Sequence, residues 1–392
     1  MHRYWWYSEE YTDILRYLFV RKVFFMKFYK AVSIFLTAAG LLTGCAKTDS
    51  VEPESVKTQP REFVAHIKSE DDLTGSESGY EVAEETVTEI ASEYYSFEPH
   101  VYSGKLSEIR DENYWSSLYN LIDAIRSGED TFECCDEETY HLLLDGITMN
   151  HLYPIACMFI TEYSGDDKPA YENGVGRIEY AISKEEFEDR RIKFEEDIEE
   201  ILRQTVRTDY SDFEKCMALY EYMCYNFTYE YDEDPMRDNE GSTYHTIKER
   251  TGICCELGSA YAYLLLQCGV DALEIQSNDD IYHAWTYVTI NGEGYHCDPT
   301  WGLTEKDDPI RLWYFMETEQ ARTNEGFDMT TLDVPLYLDV NLHFPENISF
   351  PADDDKFLLA WSSTYDSIDI ENNTLFCTDF FTDEKYEIKY DI

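Results

Sequence analysis

One run restricts the fold more than any other: TYHTIKERTGICCELGSAYAYLLLQCGVDALEIQSNDDIYHAWTYVTINGEGYHCDPTW, residues 243–301. It reads as a helix, a strand and a hairpin. Leu257, Ala260, Tyr261, Leu264, Leu265 and Cys268 recur at i, i+3, i+4, i+7, i+8 and i+11, the stripe of a helix buried along one side. Gly269 marks its end, and Asp271 to Ser277 is a strand before an Asn278-Asp279-Asp280 turn. His283 to Ile290 is β-prone, Asn291-Gly292 is a two-residue hairpin signal, and Pro299 stops the returning strand.

These elements place three reactive side chains. At about 100° per residue, Cys254 lies roughly 50° from the centre of the helix stripe and Cys255 roughly 150°. Cys254 therefore faces the core and Cys255 faces away. A thiol in the first turn of a helix sits at the positive end of the macrodipole, which favours thiolate. With Asn291-Gly292 as the loop, Ile290 faces Glu293, Trp285 faces Asp298 and His283 faces Thr300. Asp298 then shares a face with His283, on a diagonal of about 7–8 Å between backbones. A thiol, an imidazole to take its proton and a carboxylate to orient the imidazole are the parts of nucleophilic catalysis, here in the chain order Cys254, His283, Asp298.

Gly-Ile-Cys ahead of an amphipathic helix, His-Ala-Trp on a strand and Asp-Pro-Thr-Trp after a hairpin resemble the three signature blocks of the transglutaminase-like superfamily, over roughly Ser211 to Trp301. The resemblance implies a papain-like α+β core, with the cysteine-bearing helix packed on an antiparallel sheet. It makes Cys254 the nucleophile, His283 the general base and acid, and Asp298 the orienting carboxylate, with Trp285 and Trp301 as packing aromatics. The backbone N–H of Cys254 would form part of the oxyanion hole. Many bacterial relatives carry Gly-Tyr-Ala where this chain has Glu256-Leu257-Gly258, so the lip of the site should differ. Two other histidines are set aside: His296 faces Tyr287, away from the helix start, and His245 reads as a loop residue.

The rest of the chain divides around this core, 207–302. Residues 95–206 read as helical, with Tyr114, Leu118, Leu121, Ile122 and Ile125 on one stripe and a charged amphipathic helix from Ser183 to Gln204. Ser211-Asp212-Phe213-Glu214 has capping-box spacing and starts another helix. Residues 303–392 alternate short β-type runs (PLYLDV, KFLLAW, YEIKY) with turn residues and read as a β-rich C-terminal extension.

The N-terminal part reads as an address. MKFYKAVSIFLTAAGLLTGC, from Met26, has two lysines, an apolar stretch too short for a span, and Leu42-Thr43-Gly44-Cys45. It resembles a bacterial lipoprotein signal, which implies cleavage before Cys45 and a diacylglyceryl group on that residue. Residues 1–45 are thus a signal peptide with translation expected to start at Met26. Residues 46–94, rich in Ser, Thr, Glu and Asp, form a solvated tether. The protein is then exported and lipid-anchored to the outer face of a bacterial membrane.

Charge excludes one class of partner. With 81 acidic against 31 basic residues the formal net charge is −50, which repels a phosphate backbone and argues against nucleic-acid binding. The acidity serves solubility or, alternatively, steers cationic substrates such as lysine-rich peptides. The 11 cysteines lack the paired spacing of a zinc site, no calcium-ligand motif occurs, and no cofactor or metal is implied. Cys134-Cys135 reads as structural. The reading is a cell-surface cysteine enzyme acting on peptide or protein amide bonds through a thioester. Its rivals are a non-catalytic binding or adhesion module on the same fold and a structural lipoprotein.

Overall fold

The structure is a computed structural model, describing residues 94–107, 109–230, 242–277, 283–305, 308–334 and 349–390. The signal segment with Cys45, the tether up to residue 93, the Asn278-Asp279-Asp280 turn and the PLYLDV run (335–340) lie outside these residues.

Helix α1 is Glu112–Arg126, α2 Lys184–Thr205, α3 Asp212–Asn226, α4 Thr243–Glu249 and α5 Cys254–Gln267. The stripe expected on α5 is buried, Leu257, Ala260, Tyr261, Leu264 and Leu265 completely so. A Schellman closure ends it: Val270 N–H donates to the Leu265 carbonyl and Gly269 N–H to the Leu266 carbonyl, with Gly269 at φ +83°. On the other side of the core, Tyr261 Oη donates to the Cys216 carbonyl of α3 at 2.7 Å. The capping box that starts α3 is present in both directions, Glu214 N–H to Ser211 Oγ and Ser211 N–H to Glu214 Oε2.

To name the strands in chain order, β1 is Thr131–Glu133, β2 Ile160–Glu162, β3 Tyr171–Glu172, β4 Val175–Tyr180, β5 Asp271–Ser277, β6 His283–Ile290, β7 Glu293–Cys297 and β8 Leu332–Asp333. Helix α5 packs on an antiparallel sheet ordered β8-β5-β6-β7. The hairpin has the expected register: Ile290 opposite Glu293, Val288 opposite Tyr295 and Tyr287 opposite His296. Asn291 and Gly292 both have positive φ (+52° and +89°), as a type I′ turn requires. Pairing stops at Thr286 with Cys297, so Asp298 leaves the ladder and caps the short helix α6, Pro299–Gly302.

Gly258 sets how closely helix and sheet approach. A Cβ there would come 3.3 Å from the Trp285 Cα and carbonyl carbon and 3.3 Å from Glu274 Cγ. Two of those three contacts are backbone, which cannot swing away. Gly258→Ala gains about 1 kcal/mol of helix propensity, and the forced separation of α5 from β6 should outweigh it. We expect a lower midpoint in urea for this variant; a higher midpoint would show that the interface yields without cost.

Both flanks carry more than the sequence patterns indicate. The 95–206 region holds α1, α2 and several shorter helices, and also a small sheet ordered β1-β4-β2 with β3 paired to β4. Its strands run two to six residues, too short for alternation to stand out in the sequence. The C-terminal extension is β-rich, with short helical turns between its strands. It contains helix α7, Glu319–Glu325, and a three-stranded antiparallel sheet of β9 (Ser363–Asp369), β10 (Thr374–Asp379) and β11 (Lys385–Lys389). YEIKY largely forms β11, but KFLLAW is a turn leading into a 3-10 helix, Ala360–Ser362. Five consecutive apolar residues, Phe357 to Trp361, carry no period of two. There Phe357 and Ala360 are buried while Leu358 and Leu359 are exposed. The extension is tied to the core: Phe213 of α3 stacks on Phe357 and Tyr390, and Tyr390 Oη donates to Glu214 at 2.7 Å.

Candidate active site

Cys254 is the first residue of α5, and its N–H therefore has no intrahelical acceptor. The Ile253 N–H, one residue earlier, donates to Glu256 Oε2 at 2.9 Å, so the departure at Glu256 has a local role in bracing the helix start. Cys254 is 6% exposed, and Cys255 is less buried, the order that helical periodicity gives.

The His283 imidazole, on the first residue of β6, lies close enough to the Cys254 thiol to lower its proton affinity. His283 Nε2 is 2.7 Å from Asp298 Oδ2. With Nε2 engaged by the carboxylate, Nδ1 is the ring nitrogen left for the thiol. Asp298 is completely buried and its position is over-determined. Its Oδ1 accepts the Trp301 N–H (3.2 Å), its own N–H donates to the Tyr314 carbonyl (2.8 Å), and its carbonyl accepts from Tyr220 Oη (3.4 Å). The three residues singled out in the sequence are thus brought together.

Electrostatics favours charge separation. The Cys254 thiol is held well below its usual range by a hydrogen bond from the Cys255 thiol, opposed by burial and reinforced by His283 and the Ala284 backbone N–H. Cys255, the donor, is correspondingly pushed well up. Burial lowers the proton affinity of His283, but the charge and hydrogen bond of Asp298, with Cys254, outweigh it and raise the imidazole to about 9. Burial alone would raise Asp298; His283, Arg322 and the Trp301 N–H pull it below the usual carboxylate range. A thiolate beside an imidazolium is the state these shifts describe.

Two features were not visible in the sequence. Arg322, in α7, donates from Nη2 to the same Asp298 Oδ2 at 3.2 Å and from Nη1 to Glu317 (3.3 Å) and Glu325 (2.8 Å). Its guanidinium lies 4.2 Å from the Trp285 ring, 5.3 Å from Trp301 and 4.5 Å from Phe327. The same three rings surround His283, with Trp301 stacked on it at 4.7 Å. An arginine in a seven-residue helix, 24 positions after Asp298, leaves no local signal. The second feature is the influence of the Cys255 thiol in lowering the proton affinity of Cys254, from a position that helical period turns away from the buried stripe.

The other candidates fall elsewhere. His296 Nδ1 accepts the Trp285 indole N–H at 3.0 Å, and burial with Arg322 holds it well below the usual imidazole range, so it stays neutral. His245 sits in helix α4, not in a loop, and its Nε2 is 4.0 Å from Glu230. Cys134 is buried and Cys135 exposed, both free thiols. Among the described residues, no cluster of three or more His, Cys, Asp and Glu is placed to hold a metal ion. Nor is any helix there long and apolar enough to cross a membrane.

Residues 199–299 match the family model of the transglutaminase-like superfamily. This stretch is a transglutaminase-like core. It contains Cys254, His283 and Asp298 and ends before Trp301 and Arg322. No curated protein matches the chain. Solved structures similar to it include a candidate cysteine protease from Cytophaga hutchinsonii, with 22% identity, 22% of this chain and 30% of the other covered, and a TM-score of 0.20. A TGase shows 13% identity over 43% and 59%, with a TM-score of 0.26. LapG of Legionella pneumophila shows 14% over 29% and 64%, with 0.20. The chain spans less than two thirds of each, and likenesses this slight carry no weight for its reaction.

Proposed function

We propose that the transglutaminase-like core is a cysteine enzyme that attacks amide bonds of peptides or proteins through a thioester acyl-enzyme. The observation that carries this reading is the buried His283–Asp298 pair, 2.7 Å apart, beside a Cys254 thiol at the start of α5 whose proton affinity His283 lowers. Cys254 Sγ adds to the substrate carbonyl, and the Cys254 N–H at the start of α5 meets the developing oxyanion. His283 Nδ1 gives its proton to the departing amine as the C–N bond breaks. It then takes a proton from water or from an acceptor amine, which adds to the thioester and releases Sγ. Water makes the protein a peptidase or amidase; a lysine amine makes it a protein-glutamine acyltransferase.

The folded part incubated with a peptide library and a primary amine separates these by product mass: cleaved peptide, deamidated glutamine or amine adduct. Absence of all three, with Cys254 still selectively alkylated, would favour a binding module. Absence of selective alkylation would remove the catalytic reading altogether.

The pH dependence follows from His283. Departure of the amine needs the imidazolium, so kcat/KM should fall as pH rises through about 9. The imidazolium also contributes stability, because its folded proton affinity lies above the unfolded value of 6.5. That contribution is complete below 6.5 and is lost as pH rises through about 9. Rate against pH and melting temperature against pH check the two limbs. A kcat/KM already falling near pH 7 would contradict the assignment of His283 as the acid.

For location, we propose that Cys45 carries a diacylglyceryl anchor and holds the enzyme at the outer face of a bacterial membrane. Cys45→Ala should then move the protein from the membrane fraction to the soluble one. Equal membrane association of both forms would count against the anchor.

A further inference from the structure

The position of Arg322 has a consequence for the chemistry of Asp298. One carboxylate oxygen, Oδ2, is shared by two cationic donors, His283 Nε2 at 2.7 Å and Arg322 Nη2 at 3.2 Å. Arg322 is itself completely buried, held by Glu317 and Glu325 and boxed by Trp285, Trp301 and Phe327. A planar guanidinium can serve three carboxylates while stacking on aromatic faces; an ammonium cannot. Resting on the thiol chemistry proposed above, we propose that Arg322, contributed by the C-terminal extension, is a positioning residue that clamps Asp298 and limits how firmly that carboxylate holds the imidazolium proton.

The sign follows from the charges on the cluster. Asp298 attracts the imidazolium; Arg322 repels it and draws on the same oxygen, so its charge favours release of the proton to a leaving amine. Glu317 and Glu325 partly neutralise Arg322 and act in the opposite direction. Cys254, activated by Cys255 from the same helix, supplies the thiolate that favours the imidazolium. His296 is kept neutral, and Tyr220, Cys297 and Tyr314 are buried with raised proton affinity, so they add no charge near neutral pH.

Alkylation of Cys254 by iodoacetamide, followed by peptide mass across pH, reads this without a substrate. The ion pair gives two steps, a lower one for formation of the thiolate and an upper one when His283 loses its proton and frees a stronger nucleophile. Arg322→Gln should move the upper step to higher pH by about one unit, the usual scale for one nearby charge. Arg322→Lys should restore much of the shift. Glu325→Gln, whose side chain is 19% exposed and thus tolerant of change, should move the step lower by a few tenths of a unit. An upper step unmoved in a folded Arg322→Gln protein, or moved equally by Gln and Lys, overturns the proposal. If Arg322→Gln does not fold, an unshifted profile in Glu325→Gln overturns it. A wild-type profile with one step in the ordinary thiol range would instead reject the catalytic reading itself, so the two failures are separable.

Discussion

Asn in place of Asp298 is expected to lower turnover by about 10³–10⁴-fold, the scale seen when the orienting carboxylate of a nucleophile and histidine pair loses its charge, with the fold largely retained. The side chain sits in a web of donors: Oδ2 takes His283 Nε2–H and Arg322 Nη2–H, and Oδ1 takes the Trp301 N–H. An amide can offer its oxygen to one side only. With the oxygen toward Trp301, its NH₂ opposes the imidazole and guanidinium donors, the Nε2–H tautomer loses its acceptor and His283 loses the charge that raises it to about 9. With the oxygen toward His283, the cap of α6 is broken, a loss of about 1 kcal/mol, and the carboxylate charge is still gone. Either orientation should bring the imidazole back toward its ordinary range and reduce thiolate at Cys254. Steady-state turnover and the pH dependence of Cys254 alkylation test this together. Full turnover in Asp298→Asn would leave Asp298 only the structural task of capping α6.

Acid should expose the same linkage from the other side. Asp298 has its folded affinity for protons depressed, so its contribution to stability is present above the unfolded carboxylate value and is lost as pH falls through the lower folded one.

What could be read from the sequence, and what could not, follows contact distance along the chain. Cys254 and His283 sit at the ends of regular elements whose periods are strong, and Asn291-Gly292 admits one register, so residue parity brought Asp298 to the right face. The ladder ends one residue sooner than facing-pair geometry implies, because Pro299 turns Asp298 into the cap of α6. Arg322, Phe327 and the Phe357 and Tyr390 rings that stack on Phe213 come from the extension, where elements are short and apolar residues cluster without period. Contacts of that kind are decided by tertiary packing, which overrides local preference. The small sheet in the N-terminal region escaped notice for the same reason.

Trp285 should carry the largest single share of stability in this site. It is completely buried, its indole N–H donates to His296 Nδ1 at 3.0 Å, and its ring faces the Arg322 guanidinium at 4.2 Å and Phe327 at 4.9 Å. Trp285→Ala should cost about 3–5 kcal/mol through the cavity alone, before the loss of a ring from the face of a buried cation. Phenylalanine keeps most of the volume and the aromatic face but leaves His296 Nδ1 without its donor, so Trp285→Phe should cost about 1–3 kcal/mol. Urea midpoints at unchanged m separate the two. Chemistry should respond differently. His283 is stacked on Trp301 at 4.7 Å and only flanked by Trp285 at 6.0 Å, so Trp285→Phe should leave the rate of Cys254 alkylation within a few-fold of wild type. Equal costs for Ala and Phe would shift the weight from ring packing to the indole N–H. A collapse of alkylation in Trp285→Phe would mean that the indole, and not Trp301, holds the imidazole in line with the thiol.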